Sequence, residues 1–238
     1  MFYYNKLGKN PPKPNPASRR NFLRFAGAGV ATAGLVMIGC NDDNMDSDDE
    51  MMDTPVDLGS GDVGILNYAY ALEQLEAAFY AQVLTGNYYA GAGADEKQIL
   101  ADLEKHERAH MDWFEAAIGS VATPIPALEV DFSSIDFGDR TSVLTTAKTF
   151  EDLGVSAYNG AGRLLEDPNF LLQAGKIVSV EARHAAAIRD LLDSDPTSFA
   201  GDDIIDANGL DLARTPAEVL SMASAFIRTE IDASNLPG

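Results

Sequence analysis

Cysteine occurs once in the 238 residues, at Cys40. A single thiol rules out an intramolecular disulfide, and it rules out a rubredoxin-type or zinc-ribbon site, which takes four cysteines from one chain. Histidine is nearly as scarce, at His106, His110 and His184. Basic residues are few, with 17 Lys and Arg against 37 Asp and Glu and a formal net charge of −20. Six of them (Lys6, Lys9, Lys13, Arg19, Arg20 and Arg24) fall in residues 1–39, which hold no acid, so the remainder is more acidic still. A field of that sign repels phosphates and argues against nucleic acid as a partner. The apolar stretch from Phe25 to Ile38 is shorter than the ~20 residues a spanning helix needs. Sustained strand alternation is missing from the body, which leaves an all-α reading.

The first forty residues have the layout of a targeting segment. Ser18-Arg19-Arg20-Asn21-Phe22-Leu23-Arg24 precedes the apolar stretch and resembles the twin-arginine export signal, with Arg24 where Lys is usual. Met37-Ile38-Gly39-Cys40 then resembles a lipobox, whose cysteine is acylated and becomes the new N-terminus. That resemblance implies export and anchoring to the membrane of the cell envelope through lipidated Cys40, in the periplasm or at the outer surface. Residues 41–60 are acidic and poor in aromatic and β-branched runs, so they are expected to form a tether. Within them Ser47-Asp48-Asp49-Glu50 resembles an acidic surface-export tag, and a plain solvated spacer accounts for it equally well. The expected organisation is a signal over 1–39, a tether over 40–60 and one domain over 61–238.

In the body, apolar residues recur at helical spacing from Asp62 to Leu84, with Gly86 just past the end as a cap. A Gly- and Tyr-rich turn leads to a second helix from about Asp95 to Ile118. Residues 120–140 contain Pro124 and Pro126 and no helical period, which predicts a long connection. A connection of that size can carry the chain back along a bundle, whereas antiparallel neighbours need only a short turn. Thr141 to Glu166 predicts a third helix, and Pro168 starts a fourth that runs to about Asp193. Thr215-Pro216-Ala217-Glu218 is a capping box opening a fifth, to about Glu230.

Two of the three histidines stand three residues after a glutamate: Glu107-Arg108-Ala109-His110 and Glu181-Ala182-Arg183-His184. On a helix that spacing puts both side chains on one face, one turn apart. The face is apolar, carrying Leu100, Leu103 and Phe114 in one helix and Ile177 and Ile188 in the other. Carboxylates aimed into a core need compensation, and a divalent metal supplies it directly. Helices one and three repeat a second plan, a glutamate followed seven residues later by a tyrosine: Glu73 with Tyr80, and Glu151 with Tyr158. The two halves therefore look like an internal duplication with candidate ligands in phase. Glu76 also projects to the apolar side, as an extra ligand, a base behind the ligands or a residue at the bundle seam. Glu73 is preferred because it has a counterpart in helix three, whereas Glu76 aligns with Gly154. The tyrosines are read either as partners of the ligand carboxylates, or electron carriers, or as core residues. His106 is expected at the flank of helix two, and Asp202, Asp203, Asp206 and Asp211 in a solvated loop.

These motifs resemble the ferritin-like superfamily, in particular rubrerythrin, bacterioferritin, manganese catalase and the ferritin-like domain of desiccation-related proteins, over residues 62–193. The shared pattern is one Glu from each of two helices plus E-x-x-H from each of the other two. The resemblance implies an up-down four-helix bundle with a long crossover between helices two and three and a short C-terminal helix. It also implies two iron or manganese ions, with Glu107 and Glu181 bridging, Glu73 and Glu151 terminal, and His110 and His184 each on one ion. The implied activity is redox chemistry on peroxide or oxygen, with a separate electron donor because the chain has no rubredoxin site. Two alternatives stand beside it: a protein that sequesters metal or protects the envelope under oxidative or drying stress without turnover, and a bundle whose metal is a folding staple. Assembly into a homo-oligomer is left open.

Overall fold

The computed structural model describes residues 54–193, 195 and 197–237. The twin-arginine segment, the lipobox with Cys40 and the acidic stretch as far as residue 53 lie outside the described residues. Four long helices form the body: α1 (Gly61–Val83), α3 (Ala94–Gly119), α4 (Arg140–Ala161) and α5 (Pro168–Leu192). Two short helices complete the set: α2 (Asn87–Gly91) lies in the connection between α1 and α3, and α6 (Pro216–Ala223) follows α5. Helix starts follow the capping chemistry. Asp139 accepts from the Ser142 amide at α4, Asp167 from the Asn169 amide at α5, and Thr215 with Glu218 forms the reciprocal box at α6. No described helix is long and apolar enough to cross a membrane.

Side-chain bonds fix the helix directions. Tyr158 of α4 donates to Glu73 of α1, and Tyr80 of α1 donates to Glu151 of α4, so the register runs in opposite senses and the two helices are antiparallel. Asp62, in the first turn of α1, accepts from the amides of Glu166 and Asp167 just before α5, so those two helices start at the same end. With α1 and α3 joined by a short turn, the order is up, down, down, up. The connection from α3 to α4 must therefore return along the whole bundle. At 1.5 Å per residue the 26-residue α3 is roughly 40 Å long, well within reach of about twenty extended residues.

This crossover runs beside α1 and in its direction. Asn67 accepts from the Ile125 amide, while Gln74, two turns on, accepts from the Leu128 amide and donates to the Pro126 carbonyl. Further along, Phe79 meets Phe132 and Phe137 at 5.9 and 6.0 Å between ring centroids. Covered on every side, α1 is buried almost throughout, although it carries Asn67, Glu73, Gln74 and Glu76.

Several expectations are adjusted. The third helix stops at Ala161 rather than Glu166 and closes in a single 3-10 turn, Gly162–Leu164. The C-terminal helix ends at Ala223 rather than Glu230, because the chain turns there to bridge Ile227 with Val130 of the crossover. A strand pair absent from the sequence reading joins Val56–Asp57 (β1) in parallel to Ile231–Asp232 (β2). Leu58, within the stretch expected to be a tether, is 0% exposed, and its carbonyl accepts from Asn67, so the packed body begins before residue 61. The segment before α6 lies against α4, where the Arg214 amide donates to the Ser156 carbonyl. Gly160 makes that approach feasible, since a Cβ there would sit 1.7 Å from the Arg214 carbonyl oxygen.

Candidate metal centre

Glu73, Glu107, Glu151 and Glu181 each sit near the middle of a different long helix. All four are buried, as is His184, while the His110 side chain keeps 12% exposure. The six expected side chains meet. His110 Nδ1 lies 2.9 Å from Glu181 Oε1 and 3.3 Å from both Glu73 Oε2 and Glu107 Oε2. His184 Nδ1 lies 2.7 Å from Glu107 Oε1, 3.5 Å from Glu151 Oε2 and 3.8 Å from Glu181 Oε2. Glu107 and Glu181 thus each turn one oxygen to each imidazole, whereas Glu73 and Glu151 each serve one end.

Two sets of ligand atoms result, each within 4.8 Å: Glu73, Glu107, His110 and Glu181, and Glu107, Glu151, Glu181 and His184. Several of these atoms are close without being aligned for a hydrogen bond. Both oxygens of Glu181, Glu73 Oε2, Glu107 Oε1, Glu151 Oε2 and His184 Nδ1 have no directed partner. Buried polar atoms in that state are costly, and donors converging on a point rather than on one another are what a cation needs. The residues present fit a divalent metal pair in number, charge and atom type.

A model of the ferritin-like domain family matches residues 61–194. The chain belongs to this family. No curated protein matches it. In this ferritin-like domain the buried acids and imidazoles form a group that could bind metal.

The other oxygens of the terminal acids are held across the bundle. Tyr158 donates to Glu73 Oε1 and Tyr80 to Glu151 Oε1, so each half's tyrosine secures the opposite half's glutamate. Burial, then the adjacent carboxylates, hold both phenols well above their ordinary pKa, and they remain donors. Glu76 is buried too, and its place opposite Gly154 has a steric reason, because a Cβ at Gly154 would come within 3.1 Å of Glu76 Oε1. It belongs to neither converging set. Burial followed by repulsion from Glu181 and Glu107 raises its pKa well above the ordinary carboxyl value, which favours its protonated form.

His106 takes a part that the sequence reading did not give it. Though exposed, it brings Nδ1 to 2.8 Å from His184 Nε2, with the rings stacked at 5.1 Å and 13°. It orients the ligand-bearing imidazole from behind, as partners of metal-binding histidines do. The legible signal was its spacing four residues before His110, which places both on one side of α3. With Glu107 the run reads H-E-x-x-H, yet His106 and His110 do not converge on a common point, unlike the paired histidines of zinc proteases. Arg189 was not anticipated either. It is buried, with a two-pronged bond to Asp152 at 2.6 and 2.8 Å and another to Asp203 at 2.9 and 3.0 Å. Asp203 is therefore committed to an arginine, and Asp206 caps the amides of Asn208 and Leu210 in its own turn.

Without metal the centre holds protons. Burial, with neighbouring acids adding to it, raises Glu73 and Glu151 to about 8. Burial acts downward on His110, but the facing Glu107, Glu181 and Glu73 outweigh it and raise it to about 12. Burial acts upward on Glu181, but both imidazoles outweigh it and bring it to about 2. At pH 7 a metal must displace protons from groups whose pKa lies above that value, so affinity should rise as pH climbs toward 8 and fall on acidification. Titrating metal-free protein with manganese at pH 7, in two buffers of different ionisation heat, should show release of at least one proton per ion. Binding without proton release, or with the same affinity at pH 6 and 8, would contradict the assignment.

Proposed function

We propose that this ferritin-like domain binds two iron or manganese ions and uses them in redox chemistry on peroxide or oxygen, as catalases and peroxidases of the superfamily do. The observation carrying this reading is that Glu107 and Glu181 each present one oxygen to each imidazole. Glu73 and His110 would hold one ion, Glu151 and His184 the other, and the two shared carboxylates both. A bound pair supplies Lewis acidity and exchangeable electrons. Four ionised carboxylates would offset the charge of two divalent ions. Tyr80 and Tyr158 fix the terminal carboxylates, His106 steadies His184, and the apolar surroundings keep bulk water out. An electron donor, if turnover needs one, is a separate molecule.

Seclusion of the centre favours a second reading. With all four carboxylates buried, sequestration or slow stress protection without turnover fits the geometry as well. Metal analysis of protein purified without added metal, followed by peroxide and oxygen-release assays, separates the two. Two ions per chain with rapid oxygen release support catalase-like turnover, and two ions with none support sequestration. Glu107→Ala combined with Glu181→Ala should remove both ions, and unchanged occupancy would refute the shared-ligand assignment.

We also infer export by the twin-arginine route and anchoring through lipidated Cys40. That route carries folded proteins, so metal loading can precede export. Cys40→Ser should move the protein from the membrane to the soluble fraction, and persistence in the membrane fraction would count against the anchor.

A further inference from the structure

A cavity of ≈ 330 Å³ lies between α4, α5 and the segment that follows α5, and none of the residues around it is a candidate metal ligand. Its walls include Val155, Ala182, Ala186, Phe199, Ile204 and Leu212. Ala182, Ala185 and Ala186 share one side of α5, whereas the equivalent positions of α3 in the duplication are Arg108, Met111 and Asp112. Small side chains at that place leave a gap beneath the covering segment.

The cover is pinned on both sides of the gap. Arg189 ties Asp203 to Asp152 of α4. Further along, the Asn159 side chain donates to the Leu212 carbonyl at 3.2 Å, and the Arg214 amide donates to the Ser156 carbonyl at 3.0 Å. Between these pins the chain doubles back, with the Leu212 amide donating to the Ile204 carbonyl and Asp206 capping the turn. The cavity is therefore preformed, and its volume falls at the lower end of the range for small-molecule sites, roughly 300–1,000 Å³.

One charge at this cavity is unmatched. Alone among the Lys and Arg side chains of the described residues, half-buried Arg214 has neither a hydrogen-bond nor an ion-pair partner there, although the chain carries a net charge of −20. Glu218, which feels its charge, is committed to the Thr215 amide. Asp152 also lines the cavity, but both its oxygens are held by Arg189, and Asp211 stands at the exposed rim. We propose that this cavity binds a short-chain aliphatic monocarboxylate. The Arg214 guanidinium receives the carboxylate through paired N–H donors, and the alkyl chain lies among the alanines, Val155, Ile204 and Leu212. A doubly charged head group fits less well, because Asp211 and the acidic surface repel the second charge. The site stands apart from the metal reading and does not depend on it.

Hexanoate should shift the methyl resonances of Ile204 and Ile205 saturably in isotope-labelled full-length protein. Arg214→Gln, which removes no bond within the described residues, should weaken binding about 10- to 100-fold through loss of charge-assisted hydrogen bonds, and hexanol should bind the wild type more weakly by a similar factor. Asp211→Asn should tighten hexanoate binding about 2- to 3-fold by removing a repulsion that water screens. Ala186→Leu, which fills the cavity, should abolish the shift with helical content unchanged. The proposal is overturned by the absence of a saturable shift, by equal affinity in Arg214→Gln, by weaker binding in Asp211→Asn, or by tighter binding of hexylamine than of hexanoate.

Discussion

Four carboxylates facing one another across the middle of a helical bundle are the constraint to which the rest of the structure answers. Each is withdrawn from water, and within the protein the nearest cationic groups are two imidazoles that themselves point inward. Burial of uncompensated acids on this scale would outweigh the few kcal/mol by which a domain is stable. The metal-free chain meets the problem with protons, which His110 and His184 hold and which burial favours on Glu73, Glu151 and Glu76. Two divalent ions would meet it more fully, because they also engage the oxygens that have no directed partner.

The arrangement has an approximate twofold character, broken in three places. Tyrosine and glutamate exchange bonds between α1 and α4, while α3 and α5 each supply the shared acid and an imidazole. The first break is Glu76 opposite Gly154, which puts a fifth acid on one side. The second is His106, which backs His184. The third is the crossover, which must travel the length of α1 because α3 and α4 point the same way, and which seals Tyr80 while leaving Tyr158 beside an apolar cleft. Two ions in such a centre would occupy unequal environments, a condition under which one position can exchange or react before the other.

Much of the site was legible because its chemistry is local. A glutamate and a histidine three apart announce a shared helix face, and the repeated Glu–Tyr interval identifies the matching helices. The long, proline-containing connection likewise implied a crossover. What escaped depended on contacts distant in sequence. Burial of Leu58 follows from its bond to Asn67, and the strand pair needs residues some 175 positions apart, Val56 and Ile231. The early end of α6 follows from pairing with the crossover, which periodicity within residues 215–230 does not encode. His106 was hidden differently, since its role depends on where His184 of another helix places its outer nitrogen.

The most direct test is anomalous diffraction from crystals grown with manganese or iron. Two peaks about 3.5–4 Å apart, lying between the carboxylates of Glu107 and Glu181 with one toward His110 and the other toward His184, are the predicted result. A bundle that diffracts well with metal present and shows no anomalous density among these side chains, or shows it solely at surface acids, would contradict the paired-metal centre.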